Sequence, residues 1–119
     1  MRYTLFRPHF LILVFCKKLQ QRYDARTMSA TVNYRILERI IKGFANHRRL
    51  QIADLLKREP ELSVVDISER LGIGYENASD HIRKMAIAGL LLKRNDGPAV
   101  RHKLTPRAES ILVFCKRLQ

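Results

Sequence analysis

The sequence has no tryptophan, only two cysteines, and few acidic residues for its length. Cys16 and Cys115 stand far apart, so they build no disulfide framework, and neither has neighbours spaced as zinc ligands. A reducing, cytoplasmic setting is the expectation. The longest apolar run, Phe10 to Cys16, is too short to span a bilayer. Neither a glycine-rich phosphate loop nor a nucleophile–base motif is present, so no enzyme is expected: no catalytic residue, no metal ligand and no cofactor. Five glycines and four prolines in 119 residues leave no low-complexity stretch, and 46% hydrophobic residues suit one modest core. The shortage of acid matters most. Against 11 Asp and Glu stand 23 Lys and Arg, a net charge of +12. Such a balance predicts attraction to a polyanion, a nucleic acid or an anionic membrane surface, and says nothing about fold.

What is present begins with an internal echo. Residues 12–20 read ILVFCKKLQ and residues 111–119 read ILVFCKRLQ, differing only at Lys18 against Arg117. The same spacing lays Arg2 on Arg101 and Leu5 on Leu104. The N-terminus also imitates a secretory signal, with Arg2 and Arg7 ahead of the apolar run. However, Lys17 and Lys18 follow that run at once and no small-residue cleavage site is present. Two origins stay open: the end of an upstream copy fused to a complete copy, or upstream sequence read through before a start at Met28. The polar, basic junction Gln21–Thr27 fits both. The expected division is an extension, 1–27, that echoes the C-terminal helix, and a working domain, 28–119.

In that domain, Asn33 is the expected cap of a helix running to about Ala45, with Ile36, Leu37, Ile40, Ile41 and Phe44 at helical spacing. Asn46 caps a second helix containing Leu50, Ile52, Ala53, Leu55 and Leu56, and Glu59-Pro60-Glu61 ends it. Ser63-Val-Val-Asp66 reads as a capping box opening a third helix, which Gly72 stops in a left-handed conformation. A fourth helix, roughly Tyr75 to Ala88, buries Ala78, Ile82 and Met85 and ends at Gly89. Two short helices around one glycine fit a helix-turn-helix. Leu90–Arg94 and Ala99–Leu104 then read as strands joined by an Asn95–Pro98 turn, and Val100, His102 and Leu104 share one strand face. Thr105-Pro106 starts a last helix whose apolar stripe is Ile111, Phe114, Cys115 and Leu118, widened by Leu112. On that stripe Cys115 is expected to be buried and inert. The fold class is mainly α with a small β-hairpin wing, a winged helix-turn-helix.

The order of elements, with three stretches of sequence, resembles the ArsR-type winged-helix transcriptional regulators. Gly43-Phe-Ala-Asn-His-Arg-Arg-Leu50 is similar to that family's second-helix entry. Leu71–Ile82 resembles its turn and recognition helix, and Met85-Ala-Ile-Ala-Gly-Leu90 its helix exit. The likeness covers about residues 33–119, and MarR-type regulators share much of the pattern. It implies a DNA-binding transcriptional regulator, with a recognition helix over about 75–88 and a wing over about 91–104. The family's metal-sensing Cys-x-Cys pair would fall on Ser63 and Val65, which are not thiolates, so arsenic or zinc sensing is not expected.

The candidate DNA-binding residues on the fourth helix are Tyr75, Glu76, Asn77, Ser79, Asp80, Arg83 and Lys84. On the wing they are Lys93, Arg94, Arg101 and Lys103. A step of 100° per residue puts Glu76, Asp80 and Arg83 opposite the buried stripe. The two acids face where phosphates should lie; a carboxylate can also accept from cytosine N4. The wing cations reach phosphates or the minor groove. Arg48, Arg49 and Arg70, near helix ends, are weaker candidates. His81 borders the buried stripe, where packing is its expected role. The expected partners are double-stranded DNA and a second copy of the chain, with no membrane; whether a small effector exists is not legible. The alternatives are a winged helix used for protein–protein contact through the acidic face, and a thiol sensor at Cys115.

Overall fold

The computed structural model describes residues 31–119. Readings that fall on residues 1–27 lie outside the described residues. In chain order the elements are α1 (Tyr34–Phe44), α2 (His47–Arg58), α3 (Val64–Leu71), α4 (Tyr75–Ile87), β1 (Leu91–Asp96), β2 (Ala99–Leu104) and α5 (Pro106–Arg117).

The starts of α2, α3 and α5 and the end of α3 follow from local chemistry. Asn46 Oδ1 accepts from the Arg48 and Arg49 amides at 2.9 and 3.3 Å, so α2 begins where two orphan donors find a partner. The capping box at α3 is complete: Ser63 Oγ accepts from the Asp66 amide at 3.2 Å, and Asp66 Oδ2 accepts from the Ser63 amide at 2.8 Å. Gly72 closes α3 at φ 61°, a conformation that costs other residues roughly 1–2 kcal/mol. Thr105 Oγ1 accepts from the Ala108 amide to cap α5 and donates to the Gly89 carbonyl at 2.8 Å, fastening α5 to the exit of α4.

The core is assembled from Ile52, Leu55 and Leu56 of α2, Ile67 of α3, Ala78, Ile82 and Met85 of α4, then Leu90, Leu91, Leu104, Ala108 and Leu112. Fully burying one such large side chain contributes about 1.5–3 kcal/mol. α1 packs on α2 and α4, and α5 packs on α2 and β2. Gly43 of α1 sits so close to α4 that a Cβ there would collide with the Ala88 methyl.

The hairpin is tighter than the turn residues predicted. β1 continues through Asn95 and Asp96, Asp96 lies opposite Ala99, and only Gly97 and Pro98 form the turn, with Gly97 at φ 59°. Glycine takes the positive φ at that position, so the chain reverses in two residues. A third chain segment joins the sheet edge at Leu62. The His102 amide donates to the Leu62 carbonyl at 2.9 Å, and the Glu61 amide to the His102 carbonyl at 3.0 Å. Glu61, at φ 66°, is the one non-glycine of positive φ among the described residues.

Two apolar faces differ from a self-contained core. α5 turns Ala108 and Leu112 inward, because residues four apart share a helix face and these two meet α2 and β2. Phe114 and Leu118 of the expected stripe are exposed, Ile111 is half-buried, and Cys115 is half-buried where full burial was expected. On α1, Ile36, Leu37 and Ile41 are exposed too.

Candidate nucleic-acid interface

The turn between α3 and α4 is held from inside. Ser68 Oγ donates to the Ile73 carbonyl at 2.6 Å, and the Ile73 amide donates to the Ser68 carbonyl at 3.1 Å. These two bonds fix where α4 leaves the turn. The burial of Ala78, Ile82 and Met85 then fixes its rotation. Tyr75, Glu76, Asn77, Arg83 and Lys84 are exposed as a result, and Ser79 and Asp80 are half-buried.

The acids on α4 are not equivalent. Asp80 bonds to Lys84 Nζ at 2.7 Å and accepts from Arg83 Nη2 at 2.6 Å. The hydrogen bonds from Lys84 and then Arg83 hold its carboxyl down at about 2. Asp80 therefore offers a charge already met by two cations of its own helix. Glu76 has no ion-pair partner within 4 Å among the described residues.

The wing cations divide in the same way. Arg94 presents Nε and Nη2 to Glu61 Oε2, at 3.1 and 2.9 Å. Arg101 donates from Nε to Asp96 Oδ2 and from Nη1 to Asp66 Oδ2, both at 3.2 Å. Asp66 thus serves the α3 cap and the wing together. Its carboxyl is held low by the Ser63 side-chain and backbone bonds, then by Arg101 and Arg70. Lys93 and Lys103 are exposed, and among the described residues neither has a carboxylate within 4 Å.

Glu61, Asp66 and Asp96, the carboxylates that engage the wing, were absent from the sequence-derived set. The Asp96–Arg101 pair could have been found from the hairpin register, since the two residues lie near each other across the turn. Glu61 and Asp66 approach from over thirty residues away, and no local pattern announces them. Tyr75 lines a cleft of about 260 Å³ with Val65, Pro98 and Val100, between α3, α4 and the wing tip. Of the weaker candidates, Arg70 pairs with Glu59 at 3.0 Å and Arg48 donates to Gln51 at 3.1 Å. Arg49 donates to the Lys42 carbonyl at 3.0 Å. His81 is half-buried and its Nδ1 has no hydrogen-bond partner; burial, with the nearby Arg49 charge, pushes its pKa down. Among the described residues no group of three or more His, Cys, Asp or Glu is placed to hold a metal ion, and no helix is long and apolar enough to cross a membrane.

No family model matches the sequence. Solved structures do share the fold. Reduced HlyU from Vibrio cholerae is 30% identical, over 72% of this chain and 90% of its own, with a TM-score of 0.61. The Mb0332 domain from Mycobacterium bovis is described as a homodimeric winged helix-turn-helix DNA-binding domain of a possible ArsR-family transcriptional regulator. It is 24% identical over 80% of this chain and 82% of its own, with a TM-score of 0.64. NolR from Sinorhizobium fredii is 23% identical over 71% and 85%, with a TM-score of 0.66.

Proposed function

Since the chain belongs to the winged helix-turn-helix transcriptional regulators of the ArsR type, we propose that it binds double-stranded DNA as a homodimer. α4 enters the major groove and the β1–β2 wing lies on the adjacent backbone. The observation that carries this is the α3–Gly72–α4 turn. It is pinned at Ser68 and Ile73, and it presents Tyr75, Glu76, Asn77 and Arg83 outward beside a wing bearing Lys93, Arg94, Arg101 and Lys103. In this assignment Ser79 and Asp80 set the flank of the reading face and Lys84 meets phosphate. The protein acts by binding in the cytoplasm and not by catalysis, and residues 28–119 are the working domain.

Dimerisation is supported by the apolar residues that one copy leaves in water. Ile36, Leu37 and Ile41 on α1 and Val113, Phe114 and Leu118 on α5 are all exposed. These side chains are about half exposed in one copy, so covering each is worth roughly half of the ~1.5–3 kcal/mol of full burial, and together they favour association. The test is chemical footprinting on a duplex selected from a random pool. Two protected major-groove segments about 10–10.5 base pairs apart are expected. A single protected segment at saturating protein contradicts the dimer, and no protection contradicts DNA binding.

A further inference from the structure

Away from the wing, α1, α2 and α4 border an open surface groove of about 370 Å³. Its apolar part is Gly43, Ile87 and Ala88, and its rim carries four cations, Arg39, Lys42, Arg49 and Lys84. Two of the four are matched by carboxylates on their own helices, Lys42 by Glu38 and Lys84 by Asp80. Arg39 and Arg49 have no carboxylate within 4 Å among the described residues. Arg49 is also the side chain whose Nε is buried without a hydrogen-bond partner, while its Nη1 is spent on the Lys42 carbonyl. Ile87, at the end of α4, is 75% exposed beside the groove, so an apolar surface waits next to unmatched positive charge.

We propose that this open groove is a binding site for a small amphipathic anion, an acid group on an apolar body. The acid group sits between Arg39 and Arg49, and the apolar body lies over Gly43, Ala88 and Ile87. The volume falls in the range of small-molecule sites, and a few placed polar groups around an apolar floor is their usual composition. A phosphate alone leaves Gly43, Ile87 and Ala88 uncovered, so an anion that carries its own apolar group matches the groove better. The site spans α1, whose outer face is exposed, and the end of α4 at the point where Gly43 and Ala88 touch. An occupant therefore contacts both helices at their closest approach.

The test uses three probes on the full chain without DNA: octanoate, octanol and inorganic phosphate, followed by amide NMR shifts. Octanoate is expected to shift Gly43, Arg49, Ile87 and Ala88 saturably. Octanol and phosphate, each lacking half of the chemistry, should bind about tenfold more weakly or worse. Arg49→Gln and, separately, the exposed Arg39→Gln should each weaken octanoate about tenfold, the loss expected for one charge-assisted contact. Melting temperatures of both variants are read alongside, and Arg39→Gln keeps the test decisive should Arg49→Gln unfold the chain. Equal binding of octanol, equal binding of phosphate, shifts spread over the wing and turn, or no saturation would each overturn the site. These readings need no DNA, so their failure is separate from any failure of DNA binding.

Discussion

Asp80, Arg94 and Arg101 show that a charged residue on a surface is defined by its neighbours as much as by its type. Arg94 is held by Glu61, and Arg101 by Asp66 and Asp96, whereas Lys93 and Lys103 face solvent. A phosphate approaching either arginine must displace a carboxylate. A phosphate approaching either lysine displaces only water and counterions. Replacing Lys93 and Lys103 together with Ala should therefore weaken binding on every DNA sequence and flatten the log–log salt slope by about 0.9 for each lost contact. Arg94→Ala should do less, because Glu61 already holds that guanidinium and leaves it less free to meet phosphate; fluorescence anisotropy on random duplex at several salt concentrations compares them. His102 makes a second residue-scale case. It is 2% exposed with Nδ1 at 3.0 Å from the Leu62 carbonyl, and burial pushes its pKa below the ordinary 6.5. His81 is lowered likewise, by burial first. For such a group the unfolded chain takes up a proton before the native one does. Its stabilising contribution is then full above about 6.5 and declines as pH falls through that value. Melting temperature should fall between pH 7.5 and pH 5, and His102→Gln should show a smaller fall over the same interval from a lower starting point.

At the scale of elements, what was legible in the sequence was chemistry that acts within a few residues. Asn46, Ser63 with Asp66, Gly72 and Thr105 each mark a helix end, and each does so in the structure through a bond or dihedral that local spacing can specify. The Ala78, Ile82 and Met85 stripe was legible for the same reason and set the outward face of α4. What was not legible depends on contacts made far along the chain. The side of α5 that turns inward is set by α2 and β2, so Ala108 and Leu112 are buried while Phe114 and Leu118 stay exposed in a single copy. The strands run further than their turn-forming residues suggest, because Asn95 and Asp96 pair with Val100 and Ala99 across a two-residue turn. The apolar residues left outside on α1 and α5 carry the element-scale prediction. Leu37→Glu and Phe114→Glu should each shift the protein toward a monomer, read as molar mass by light scattering, with secondary structure retained. A dimeric mass in both variants would place the seam elsewhere.

For the whole molecule the governing quantity is the net charge of +12, of which residues 28–119 hold 17 basic against 10 acidic side chains. Charge supplies attraction to any duplex, α4 supplies the selection, and the pairing of two wing arginines limits how much of that charge is immediately available. Binding through several phosphates releases several counterions, so affinity must fall steeply as salt rises. The most direct test is the affinity of the full chain for duplex DNA measured between 50 and 200 mM salt, roughly the span over which 6–10 phosphate contacts cost 10³–10⁵ in affinity. A straight log–log decline with a slope of several units is the predicted result. A flat dependence, or no measurable binding at the lowest salt, would contradict the assignment of this chain as a DNA-binding regulator.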